Sequence, residues 1–133
     1  MSQENVNVVR GMYAAFAQGD VSTVIAALDP QVQWWEAENL LYADGNPYIG
    51  PGAVLEGVFM RIGQEWEGYT ASPQEVLDAG ETVIGYGYYS GTYKSNGKQV
   101  RAQFAHFFRL RAGKVVHFQQ YTDTAQFRQV VAG

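Results

Sequence analysis

Apolar positions recur at helical spacing in the first half of the chain and at every second residue in much of the second half. Val6, Val9, Tyr13 and Phe16 form one helical stripe, with Ser2 placed to cap its start and Gly19 to end it. Asp20 is positioned to cap a short second helix, Val21 to Leu28, which Asp29-Pro30 stops. The run from Val32 to Ala37, rich in large side chains and following that turn signal, reads as a strand. Residues 38–50 read as a loop. Pro51 suits the first turn of a third helix, whose Val54, Leu55, Val58, Phe59, Ile62 and Trp66 make a continuous apolar face.

After Gly68 the period becomes two. A short strand is expected near Glu75 to Asp78, then long ones from Thr82 to Lys94 and Gln99 to Arg111, joined by the Asn96-Gly97 turn. A reversal at Ala112-Gly113 leads to a last strand, Val115 to Tyr121, and Thr122 or Asp123 caps a terminal helix reaching about Val131. Helices followed by antiparallel strands predict an α+β fold with helices packed on the concave face of a curved sheet.

Nineteen aromatic residues among 133 are more than a small core needs, so some are expected to line a cavity or an interface. The absence of cysteine excludes disulfides, thiol nucleophiles and thiolate metal sites and suits a reducing, cytoplasmic location. The opening residues carry no signal-peptide pattern, and no apolar run is long enough to span a membrane. Charge is uneven: residues 1–81 hold twelve acids and two bases, residues 82–133 one acid and seven bases. No linker separates these halves, so basic strands beside acidic elements of one domain are expected, and a pI near 5.0 argues against nucleic acid as a partner.

The segments GMYAAFAQGD, EAENLLYADGNPYIGPGAVLEGVF and FAHFFRLRAGKVVHFQQYTDTA resemble the SnoaL-like branch of the nuclear transport factor two-like superfamily. That superfamily includes ketosteroid isomerases, polyketide cyclases, scytalone dehydratase and limonene epoxide hydrolase, alongside binding proteins without known catalysis. The resemblance implies a cone-shaped α+β barrel over the whole chain, a pocket between helices and sheet, and usually a dimer formed through the outer sheet face. Fold is better constrained by this than reaction.

A two-residue Asn96-Gly97 turn would place Gly87 opposite His106, Gly85 opposite Phe108 and Tyr89 opposite Phe104. A three-residue second reversal would set Phe118 opposite His106 and Gln120 opposite Phe104; a two-residue one would shift that register. One face then carries Phe104, His106, Phe108, Val116, Phe118 and Gln120, with glycines opposite, as a cavity lining would. Those glycines also suit a sharply bent sheet.

His106, flanked on its face by Phe104 and Phe108, is the first candidate for acid, base or donor chemistry; a hydrogen-bonded core histidine is the alternative. By the resemblance, His106 falls where ketosteroid isomerases carry an oxyanion-hole carboxylic acid, and the change of residue type keeps that reaction from being carried over. Glu36, on the face of Trp34, is a candidate base, two residues from where the resemblance places the isomerases' carboxylate; a solvated strand-end acid is the alternative. Tyr13 falls near their catalytic tyrosine and otherwise reads as a core phenol. The ligand-contacting set is Trp34, Phe104, Phe108, Phe118, Gln120 and Gly87.

Asp123-x-x-Gln126 has capping-box form. His106 and His117 have opposite strand parity, so no metal site is expected, and GYGYYSG lacks both the spacing and the following helix of a dinucleotide fingerprint. The outward Tyr86, Tyr88, Phe107 and Tyr121 would form a large apolar patch, for which a homodimer is the expected cover. Two functions remain: a cofactor-free enzyme acting by proton transfer on a small hydrophobic molecule (an isomerase, cyclase, dehydratase or hydrolase), or a non-catalytic binding or scaffolding module.

Overall fold

A computed structural model describes residues 2–133. Helix α1 (Ser2–Ala17) and helix α2 (Val21–Ala26) lead into strand β1 (Leu28–Trp35). Asp20 caps α2 through its carboxylate, which accepts from the Thr23 N–H at 3.1 Å. The cap expected at Ser2 lies outside the described side chains. Asp29-Pro30 falls inside β1 and not at a break, because the extended chain there is an edge of the β1–β6 pairing, which is irregular between Leu28 and Gln33.

The loop predicted over residues 38–50 holds a 3₁₀ turn, Ala43–Gly45, and a two-residue strand β2 (Tyr48–Ile49) paired antiparallel with β1. Pro51 opens a helical rod made of α3 (Pro51–Val54), a π-helical stretch (Leu55–Phe59) and α4 (Met60–Glu65). Strand β3 runs Trp66–Ala79, far longer than the pattern near Glu75 indicated. It is an edge strand and mostly exposed, so period-two burial does not mark it. Strands β4 (Thr82–Tyr93), β5 (Gln99–Arg111) and β6 (Lys114–Thr122) follow, then helix α5 (Thr124–Ala132), capped by Asp123.

The six strands form one curved, unclosed sheet, ordered β2-β1-β6-β5-β4-β3, with helices on one face. All neighbours are antiparallel except β1 and β6, which are parallel. Val9, Val32, Val54, Val83 and Val115 are fully buried between the layers. Among the described residues no helix is long and apolar enough to cross a membrane.

Both hairpins correct the expected registers. At the first, the Tyr93 N–H donates to the Lys98 carbonyl at 2.8 Å and the Asn96 side chain accepts from the Lys98 N–H at 2.9 Å. The loop is therefore four residues, and pairing slides by two: His106 faces Gly85, Phe104 faces Gly87 and Ala102 faces Tyr89. Two is the strand period, so every side chain keeps its predicted face. At the second, Ala112 (φ 51°) and Gly113 (φ 76°) make a two-residue turn with both residues left-handed. A bulge between the pairings of Arg109 and Leu110 then sets Phe118 opposite Phe108 and Gln120 opposite His106. It also turns Val115 into the core and leaves Val116, expected inward, only half-buried.

Candidate functional site

Between the helices and the inner sheet face lies a cavity of about 60 Å³. Its floor is buried: Trp34, Phe108, Phe118, Tyr89, His106 and Gln120 from the sheet, Tyr13 from α1. Phe16, Phe59, Ile62 and Tyr69 are only partly buried and form its rim. The π-helical stretch widens the rod by one residue per turn and so brings Val58 and Phe59 together onto the cavity side.

The polar groups of the floor form one connected chain. Gln120 Oε1 accepts from the Ala37 N–H at 2.9 Å, and Gln120 Nε2 donates to the Tyr89 hydroxyl at 2.7 Å. The Tyr89 oxygen lies 2.5 Å from His106 Nε2, and the Tyr13 oxygen 2.8 Å from His106 Nδ1. Phe104 stacks on the imidazole at 4.1 Å between centroids, and Tyr13 lies nearly parallel to it. No charge faces His106 to offset its burial, which pushes its pKa down to about 3. Burial thus favours the neutral imidazole, as its flanking phenylalanines led one to expect, and both of its ring nitrogens lie within hydrogen-bond distance of a tyrosine hydroxyl.

Glu36 stands just past the end of β1, its backbone gripped by Asn46, which accepts from the Glu36 N–H at 2.9 Å and donates to its carbonyl at 2.8 Å. Burial raises its carboxyl pKa to about 7, partly opposed by the Trp34 indole N–H, which donates to Oε2 at 2.8 Å. Its other oxygen has no protein partner among the described residues. Glu36 and His106 sit on the cavity side of β1 and β5 with β6 between them, roughly 10 Å apart by strand spacing. Among the described residues no three His, Asp or Glu side chains gather as a metal cluster would require.

The profile of the SnoaL-like domain matches residues 9–118. The chain belongs to the SnoaL-like family. An NTF2-like protein from Burkholderia thailandensis E264 is similar at 38% identity over 96% of each chain, with a TM-score of 0.90. A putative polyketide cyclase from Streptomyces antibioticus shares the fold at 19% identity, over 97% of this chain and 99% of the other, with a TM-score of 0.80. A protein with a ketosteroid isomerase-like fold from Catenulispora acidiphila, solved with trimethylamine, aligns at 18% identity over 94% and 89%, with a TM-score of 0.78. No curated protein matches in sequence.

In this SnoaL-like domain the candidates Tyr13, Trp34, Glu36, His106, Phe108, Phe118 and Gln120 all line the cavity, including Glu36 and Tyr13, whose facing the sequence left open. Phe104 does not; it backs His106 and Tyr13 from behind. Gly87 does not either: a Cβ there would collide with the Ser72 carbonyl, so this glycine permits close passage of β3. Gly85 is the glycine beneath the site, under the Tyr13 hydroxyl. Tyr89 and Tyr69 were missed as site residues. Inward parity signalled Tyr89, whereas Tyr69 lies in the part of β3 whose pattern was not strand-like. Residues 38–50 supply no lining; Tyr42, Asp44 and Tyr48 bond instead to Glu65, Arg61 and one another, against the helical rod.

Proposed function

We propose that this SnoaL-like protein is a cofactor-free enzyme that moves a proton on a small, flat, hydrophobic molecule. The observation that carries this reading is the convergence of Glu36 and the Tyr13–His106 pair on one aromatic cavity. A carboxyl titrating near 7 exchanges protons readily at neutral pH, so Glu36 is the general base and later the acid. Its carboxylate takes a proton from a carbon of the ligand and returns it at a second position, while the Tyr13 hydroxyl, backed by His106, holds the ligand's polar atom. Trp34, Phe108 and Phe118 supply the aromatic wall against which the ligand's ring packs. The names of the structural neighbours, a polyketide cyclase and a ketosteroid isomerase-like fold, agree with this class. A panel of small enolisable ketones in deuterated buffer tests it by NMR: exchange at the carbon beside the carbonyl is expected with the native protein and lost in Glu36→Gln. No exchange above buffer across the panel counts against it.

The second reading is a binding module, favoured by His106 being locked neutral with both ring nitrogens occupied. In either case we propose a homodimer through the outer sheet face, where Phe107 and Tyr121 are 36% and 56% exposed and pack edge to face.

A further inference from the structure

We propose that Gln120 is a positioning residue that sets the direction of the buried hydrogen-bond chain, so that Tyr13 turns its O–H toward the cavity and selects a ligand bearing a carbonyl or oxyanion. This rests on the reading of the cavity as a ligand site, but the direction of the chain follows from donors and acceptors alone. The Ala37 backbone N–H can only donate, so Gln120 Oε1 is the acceptor and the amide orientation is fixed. Gln120 Nε2 can then only donate, and it does so to the Tyr89 oxygen. The proton of Tyr89 has one acceptor within reach, His106 Nε2.

A neutral imidazole that accepts at Nε2 carries its hydrogen on Nδ1, which donates to the Tyr13 oxygen. Tyr13 has no other hydrogen-bond partner among the described residues, so its own proton is the free end of the chain. The opposite tautomer would leave the Tyr89 proton buried with no acceptor, a cost that the observed direction avoids. Every member lies on a different rigid element: Gln120 on β6, Tyr89 on β4, His106 on β5 and Tyr13 on α1. The donor therefore points the same way before any ligand arrives.

Gln120→Glu reverses the chain while keeping its shape. When ionised, the introduced carboxylate accepts from both Ala37 and Tyr89; Tyr89 then accepts from His106 Nε2–H, and Tyr13 donates to Nδ1, leaving its lone pairs to the cavity. When protonated, the same carboxyl group donates to Tyr89 and restores the native direction. The titratable groups around it are Glu36, Tyr69, Tyr89, His106 and Tyr13. The test is the His106 tautomer, read from ring ¹⁵N shifts of the labelled full chain. Nδ1–H is expected in the native protein, with Nε2–H in Gln120→Glu at high pH and return to Nδ1–H on acidification. Tyr89→Phe, which deprives Nε2 of its donor, is expected to lose the Nδ1–H preference as well.

Binding of acetophenone against ethylbenzene reads the consequence. Native protein is expected to prefer the ketone by roughly five- to tenfold, and ionised Gln120→Glu to lose the preference while ethylbenzene binding is unchanged. A native Nε2–H tautomer, an unaltered tautomer in both variants, or equal weakening of both probes overturns the proposal. Absence of turnover with the expected tautomers would defeat the enzymatic reading and leave this one standing.

Discussion

The Tyr13 hydroxyl occupies the space into which a residue other than glycine at position 85 would project its Cβ. Gly85 faces His106 across β4 and β5, so the same absent side chain makes room for the phenol and for its bond to the imidazole. The site is thus held by a backbone choice as well as by polar partners.

Gly85→Ala is expected to displace the phenol, break the Tyr13–His106 bond and cost about 1–3 kcal/mol. In a Tyr13→Phe background, which removes the overlapping oxygen, the same substitution should cost less. Urea denaturation of the four proteins of this cycle measures the coupling, and strict additivity would refute the contact.

Stability should fall as pH rises from 4.5 to 7 on account of Glu36. Its folded pKa, about 7, exceeds the ordinary 4.5, so over that window the unfolded chain releases a proton that the native one keeps. The full effect is about 3 kcal/mol. Glu36→Gln should flatten this limb; denaturation midpoints at pH 4.5 and 7.5 decide it.

His106 acts with the opposite sign. Its pKa is lowered from 6.5 to about 3, so its contribution is complete above 6.5 and is lost as the pH falls toward 3. Its ring signals should not titrate between pH 5 and 8. His106→Ala leaves the Tyr89 proton unpaired and a void beside Phe104, a cost of roughly 2–4 kcal/mol, so loss of stability and loss of ligand binding should come together.

Phe107→Arg should abolish self-association at micromolar concentration, as followed by sedimentation, with the cavity unaffected. Tyr88 is a poorer target than its exposed pattern implied, because the Arg101 guanidinium already covers its ring at 3.7 Å. A monomeric native protein would remove the dimer.

Much of this protein was legible from periodicity. The stripe of α1, the Pro51 helix start, the Asp123 cap and the inward face of β5 depend on residues close in sequence, and a register error of two left that face intact. Turn lengths were not legible, since Asn96 spends its side chain on Lys98 and on the Val130 carbonyl of α5, a partner 34 residues away. Nor was the length of β3, an edge strand shaped by its pairing with β4. The chemistry of the site was decided only in three dimensions. The flanking phenylalanines already favoured a neutral His106, but the burial that raises the Glu36 pKa, and the backbone N–H of Ala37, 83 residues from Gln120, which holds the Gln120 amide by its oxygen, come only from the tertiary structure. Protonation and hydrogen-bond direction depend on desolvation and on partners brought together from distant segments, and no local pattern encodes either.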